Sequence, residues 1–328
     1  MSSLRSLVLA VTAVAVLLLS GCGTTEAPAG AQTADGGGEK ITVTDARGKQ
    51  VTLDGPATRT VGLEWNAVEH LASLGVEPVG VSDVEGYNAW VKAQPLNGSV
   101  KDVGVRGEPS MDSIASLRPD LIVAMNDLPA GAIKQLEQLA PVLVLRPADA
   151  SDAIGQMREN LQLVAKATGT EEKAQNLLAD FDAKLAEGRK ALAQAGLTGD
   201  RFYFGDGFVE GGQVSIRPFA KGSLVSDVTE RLGLANAWPG KGDPSYGLDE
   251  TDVEGLTRLK NVDHFIYYHN DKAGGPDPFT DGLGGNAVWS SLPFVKSDDV
   301  HRLPDGIWMF GGPSSMMQYI DAVVAELT

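Results

Sequence analysis

The chain is poor in several things that would announce a function. Among 328 residues there is one cysteine, Cys22, which rules out an internal disulfide framework and any cysteine-based zinc cluster. Basic residues are outnumbered, 27 Lys and Arg against 43 Asp and Glu, for a formal charge of −16. A nucleic-acid binder or an anionic-membrane binder needs a basic footprint, so both classes are excluded. Catalytic signatures are missing too: there is no G-x-S-x-G elbow, no phosphate-binding Walker loop, no H-E-x-x-H, and no G-x-G-x-x-G after a strand. The four histidines, His70, His264, His269 and His301, share no ligand spacing; His70 is expected on the polar side of a helix and His264 at the start of an apolar strand. Nothing in the sequence supports catalysis.

What is present begins with a targeting pattern. Arg5 is followed by an apolar run from Leu7 to Leu19, too short to cross a bilayer comfortably but suited to the hydrophobic region of a secretory leader. Leu19-Ser20-Gly21-Cys22 follows and resembles a bacterial lipobox, in which the cysteine is lipidated and becomes the new N-terminus. Residues 23–40 are small and polar without apolar periodicity, as expected of a tether. The expectation is a leader over 1–21, a tether over 22–40, and a body held at the outer face of a cell membrane by lipid on Cys22.

From Ile41 short β-rich runs alternate with amphipathic helices, the pattern of an α/β protein. A hairpin turning at Arg47-Gly48-Lys49 opens it; strands are expected at Thr60–Leu63, Val79–Val81, Leu121–Ala124, Val142–Leu145, Phe202–Phe204 and Gln213–Ile216. Helices are expected near 66–74, 151–168, 171–195 and 224–232, with Thr170 as the N-cap of the third. Ser110-Met-Asp112…Leu117…Asp120-Leu-Ile is echoed by Asp252-Val-Glu254…Leu259…Asp263-His-Phe-Ile, each preceded by a helix ending in Leu-Gly. Two similar α/β lobes, over 41–150 and 200–328, joined by a helical region over 151–199 with one long backbone helix, account for the echo.

The chemistry that stands out is a minority one. Aromatics make up only 6% of the chain, yet several sit at strand ends or in Gly/Pro-rich loops: Trp65, Tyr87, Trp90, Tyr246, Trp308 and Phe310. Arg106 in Gly-Val-Arg-Gly-Glu-Pro and Arg217 in Ser-Ile-Arg-Pro accompany them. Loops beyond the carboxyl ends of strands converge on a ligand cleft in open α/β folds.

At these residues the chain resembles the substrate-binding lipoproteins of ABC importers for ferric siderophores of the hydroxamate type. The stretches that carry the resemblance include Arg59-Thr-Val-Gly-Leu-Glu64-Trp65, Tyr87-Asn-Ala-Trp90, Asp102-Val-Gly-Val-Arg106-Gly-Glu-Pro, Leu232-Gly-Leu-Ala-Asn-Ala-Trp238 and Trp308-Met-Phe310-Gly. The resemblance implies a class III periplasmic-binding-protein-like fold and a monomer. It implies a cleft lined by Trp90, Arg106, Tyr246, Trp308 and Phe310, with Trp65, Tyr87 and Arg217 as further candidates. Iron would arrive inside a ferric siderophore, a trihydroxamate, with no resident cofactor and no protein metal ligand. Glu64 meets a cationic siderophore tail or caps a loop. Asp112 and Glu254 match docking carboxylates, one per lobe, that would meet a permease and its ATPase complex. Tyr246 stands where relatives carry tryptophan and Phe310 where they carry tyrosine, which leaves the individual siderophore open. A cobalamin, haem or catecholate chelate is the alternative ligand for the same fold, and an extracellular metal-dependent hydrolase the alternative of another class.

Overall fold

The structure is a computed structural model that describes residues 40–270 and 275–328; Cys22, the leader and the tether up to residue 39 lie outside the described residues. No helix among the described residues is long and apolar enough to cross a membrane.

The first half opens with an antiparallel hairpin, β1 (Ile41–Thr44) and β2 (Gln50–Leu53). Asp45 ties its turn by accepting from the backbone N–H groups of Arg47 and Lys49. There follow β3 (Thr60–Gly62), α1 (Trp65–Ser73), β4 (Gly80–Val81), α2 (Val84–Trp90) and β5 (Lys101–Asp102). Next come β6 (Gly104–Val105), β7 (Glu108–Pro109), α3 (Met111–Leu117), β8 (Leu121–Met125), α4 (Ala130–Leu136) and β9 (Val142–Leu145). Strands β5-β4-β3-β8-β9 form one wholly parallel sheet in that order. Its central strands are buried at every position because helices cover both faces, which is why they read as unbroken apolar runs.

Two helices then bridge the molecule: α5 (Ala153–Thr168) and α6 (Glu171–Gln194). The break between them falls at Gly169, whose φ of 65° takes the left-handed conformation that ends a helix. Thr170 occupies the N-cap position but makes no cap bond; its hydroxyl meets that of Thr168 at 2.9 Å instead. Ile154 and Met157 of α5 pack in the core of the second half, whereas Leu161 and Val164 pack in that of the first. Ala174 and Leu178 of α6 likewise join the first core and Phe181 and Leu192 the second. The connection is thus a pair of helices, each shared by both cores.

The second half contains β10 (Arg201–Glu210), β11 (Gln213–Pro218), α7 (Leu224–Arg231), β12 (Ala235–Asn236) and β13 (His264–Tyr268). It closes with α8 (Ala287–Ser291), α9 (Pro293–Lys296), β14 (Val300–Leu303) and α10 (Pro313–Leu327). The sheet order is β11-β10-β13-β14, with β12 also on β10; β10 and β11 are antiparallel and the other pairs parallel. β10 runs well beyond the three residues its apolar pattern suggests, because Asp206 interrupts the pattern but pairs in register with Arg217 across the hairpin. The internal echo has a structural counterpart. Ser110 caps α3 by accepting from Ser113 N–H, and Asp252 caps a short 3-10 turn, Gly255–Arg258, by accepting from Gly255 N–H at 2.9 Å. Each leads to a central parallel strand, β8 or β13.

The halves are clasped where α1 meets the start of α10. Glu69 has no solvent exposure and accepts from the backbone N–H and the hydroxyl of Ser315, both at 2.8 Å. Asn66 donates to the Phe310 carbonyl at 2.6 Å, and the Ser73 and Ser314 hydroxyls meet at 2.9 Å. Gly311 is required here, since a Cβ on it would lie 2.3 Å from the Glu69 carboxylate. His70 is not on a solvated face as its helical position suggests; it is fully buried, and neither ring nitrogen has a partner among the described residues. The polar side of α1 is covered by a segment more than two hundred residues later in the chain.

Burial pushes the His70 imidazole down to about 3 from an ordinary 6.5. The unfolded chain therefore binds a proton there below about 6.5 that the folded chain refuses, so this contribution to stability is full above about pH 6.5 and is lost as pH falls toward 3. Burial also raises the Glu69 carboxyl, with the opposite slope, so a variant comparison isolates the histidine. His70→Leu is expected to hold its stability at neutral pH within about 1 kcal/mol. Unfolding free energies from urea titrations between about pH 7.5 and 4.5 should fall less steeply in the variant than in the parent, by up to ~1 kcal/mol per pH unit.

Candidate functional site

A cleft of about 390 Å³ lies between the two halves at the carboxyl ends of the parallel strands. Its first wall starts at Glu64, whose extended backbone (φ −140°) makes it the N-cap of α1 without a side-chain cap bond, so the carboxylate is available elsewhere. It holds Arg106, which stands at the tip of the β6–β7 hairpin. Nε donates to Oε2 at 2.8 Å and Nη2 approaches Oε1 at 2.6 Å, a two-pronged pairing across 42 residues of sequence. The guanidinium lies 4.2 Å from the centre of the Trp65 ring and 5.4 Å from that of Trp308. The Glu64 carboxylate makes no cap bond; it fixes Arg106 and lines the cleft beside it.

The second wall repeats the device. Arg217 on β11 donates through Nε to Oδ1 of Asp206 on β10 at 2.9 Å and through Nη2 to Oδ2. Its guanidinium is 5.2 Å from Phe208 and 5.4 Å from Phe310. Burial raises both the Glu64 and the Asp206 carboxyls, while the adjacent arginine pulls each of them back down.

Aromatic rings join the walls. Trp65 and Trp308 meet edge to face at 4.9 Å, Trp308 continues to Trp90 at 6.0 Å and Phe310 at 5.2 Å, and Phe310 meets Tyr246 at 5.6 Å. The Trp308 loop is fixed by Tyr268, whose hydroxyl accepts from the backbone N–H groups of Gly306 and Ile307. Tyr246 is set by Asp243, which accepts from the N–H groups of Ser245, Tyr246 and Leu248. Burial pushes the Tyr246 phenol up to about 12, so it remains a donor, and its hydroxyl has no partner among the described residues.

Seven sequence-derived candidates line this cleft: Trp65, Trp90, Arg106, Arg217, Tyr246, Trp308 and Phe310. Tyr87 does not. It lies on α2, three residues before Trp90, and turns into the core beside Val68 and Val100, fully buried, with its hydroxyl donating to the Gln94 carbonyl at 2.8 Å. The two rings pack in the same cluster, but Tyr87 lies wholly inside it whereas Trp90 is only partly covered and reaches the cleft. Asp206, Phe208, Met125 and Tyr268 line the cleft without having been singled out. The sequence signal was a carboxylate between glycines inside an apolar strand, Gly205-Asp206-Gly207; the structure leaves Phe208, which follows, 47% exposed. Asp112 and Glu254 are exposed, in the first turn of α3 and just before the 3-10 turn, away from the cleft lining. No group of three or more His, Cys, Asp or Glu capable of holding a metal ion occurs among the described residues.

A family model described as periplasmic binding protein matches residues 61–306. The iron(3+)-hydroxamate-binding protein FhuD of Escherichia coli is 26% identical over 262 residues, 80% of this chain and 84% of that one. The Fe(3+)-citrate-binding protein YfmC of Bacillus subtilis is 26% identical over 306 residues, 92% and 90% of the two chains. Among solved structures, the Fe3+-Desferal-bound FhuD of Vibrio cholerae superposes with a TM-score of 0.72 at 26% identity, over 82% of this chain and 97% of that one.

The two tyrosine hydroxyls have different surroundings, and stability should tell them apart. Tyr87→Phe removes a buried hydrogen bond and is expected to cost about 1 kcal/mol in chemical denaturation. Tyr246→Phe removes a hydroxyl with no protein partner and is expected to stay within about 0.5 kcal/mol of the parent.

Proposed function

Because the chain belongs to the periplasmic binding protein family, we propose that it is an extracytoplasmic receptor that captures a ferric hydroxamate siderophore in the cleft and delivers it to an ABC importer. The observation that carries this reading is Arg106. One edge of its guanidinium is held by Glu64 and its flat face lies against Trp65, so the Nη1 edge is available to donate to a ligand. A guanidinium carries more N–H donors than one carboxylate can accept. An iron(III) trihydroxamate presents a compact shell of ligating oxygens around its metal, and a fork of fixed N–H groups suits it. Arg217 offers a second such edge from the other wall, and the aromatic rings cover the apolar backbone of the chelate. Iron is cargo in this reading, held by the siderophore's own oxygens. Binding, not catalysis, is the activity.

In the same reading Cys22 carries the lipid that keeps the receptor at the membrane surface. Asp112 and Glu254, exposed at matching positions of the internal repeat, engage the permease of a permease–ATPase complex.

Three of the five tryptophans line the cleft, so ligand should be visible in emission. Ferric desferrioxamine is expected to quench intrinsic fluorescence at submicromolar concentration; absence of quenching by any ferric trihydroxamate overturns the assignment. Arg106→Ala is expected to weaken binding by about 1.5–3 kcal/mol, roughly 10- to 150-fold, through loss of a charge-assisted bond. Asp112→Ala combined with Glu254→Ala should abolish uptake of the ferric chelate in cells and leave its dissociation constant unchanged.

A further inference from the structure

We propose that Glu64 and Asp206 set the charge selectivity of the cleft: by permanently balancing the two arginines, they admit an uncharged or cationic ferric chelate and turn away anionic ones. The inference rests on the reading of the cleft as a chelate site and adds to it which chelates are refused, and by which side chains.

Among the described residues, the charged ones lining the cleft are Glu64, Arg106, Asp206 and Arg217, two of each sign. Each acid grips its arginine by the Nε–Nη2 edge, and both acids are largely withdrawn from water, their side chains 20% and 12% exposed. A carboxylate so placed is screened little by salt and cancels the charge of its partner at the distance of a ligand. The arginines keep their hydrogen-bonding edge but lose their attraction for anions. Donors without net charge are what a neutral shell of oxygens requires; an anionic shell would be better met by bare guanidinium.

The surroundings push in the same direction. Asp127 lies near enough to Glu64 and Tyr246 to act on both electrostatically. A neighbouring cavity of about 230 Å³, which shares Trp90, Asp206, Phe208 and Tyr268 with the cleft, brings a further acid, Glu210. Hydroxamates carry one negative charge each and neutralise iron(III) as a trio, whereas catecholates and citrates leave their ferric complexes anionic. The two halves build the pairing independently, one by bridging β3's end to a separate hairpin and one within a single hairpin. A merely structural ion pair needs no repetition on the opposite wall.

The test uses the full chain with Glu64→Gln, Asp206→Asn and the two together, titrated by tryptophan fluorescence against ferric desferrioxamine and ferric citrate. The parent is expected to bind ferric desferrioxamine and to ignore ferric citrate. Each single variant should gain at least about tenfold in affinity for ferric citrate, and the double variant more. Affinity for ferric desferrioxamine should not rise with it, since each acid also holds its arginine in place, so the preference between the two chelates shifts toward ferric citrate. Folded variants that reject ferric citrate as the parent does overturn the inference, as does a parent that binds both chelates equally. Failure of the parent to bind ferric desferrioxamine instead overturns the reading of the cleft. Should the double variant not fold, Glu64→Gln alone decides, since Glu64 is the more exposed of the two acids.

Discussion

A carboxylate sealed from water holds the two halves in the arrangement on which everything else depends. Glu69 reaches from α1 in the first sheet's layer to the opening turn of α10, where it satisfies backbone and hydroxyl donors of Ser315. A helix start carries orphan N–H groups, and the oxygens of a buried carboxyl need donors; each resolves the other's difficulty. The clasp leaves no room for a side chain at Gly311, so the backbone of the Trp308–Phe310 loop is drawn against α1. Trp65 begins that same helix, and Trp308 and Phe310 end the segment pressed onto it. The aromatic wall of the cleft is therefore a by-product of how the halves are joined.

The acid excess of the chain has two separate meanings. Most of it is solvated surface, which repels polyanions. Inside the cleft the balance is local and even, and it is built from pairs whose members come from different elements. Net charge described the exterior and said nothing of the interior of the site.

Much of this was legible in the chain. The apolar runs of β8 and β9, the Gly75, Gly169 and Gly233 stops, and the repeated capped turns at Ser110 and Asp252 are local features, and local physics writes them plainly. Arg106 and Trp308 stood out because polar and aromatic groups flanked by glycine have no core to serve. What escaped was non-local. Glu64 finds its partner 42 residues away, and His70 is buried only because a late segment covers a helix face that its own neighbours leave polar. Tyr87 misled for the converse reason: it resembles a loop aromatic until α2 forms and turns it inward. Asp206 was hidden by the very break it makes in an apolar strand, a break that marks the site.

The two long helices carry one more consequence. Neither α5 nor α6 belongs to a single half: each gives one end of its apolar stripe to the first core and the other end to the second. Loosening one core withdraws the packing partners of half of each helix, and a helix frayed to half its length no longer supports the other core. The two five-stranded sheets are thereby coupled through shared helices, and damage to either core is transmitted to the other.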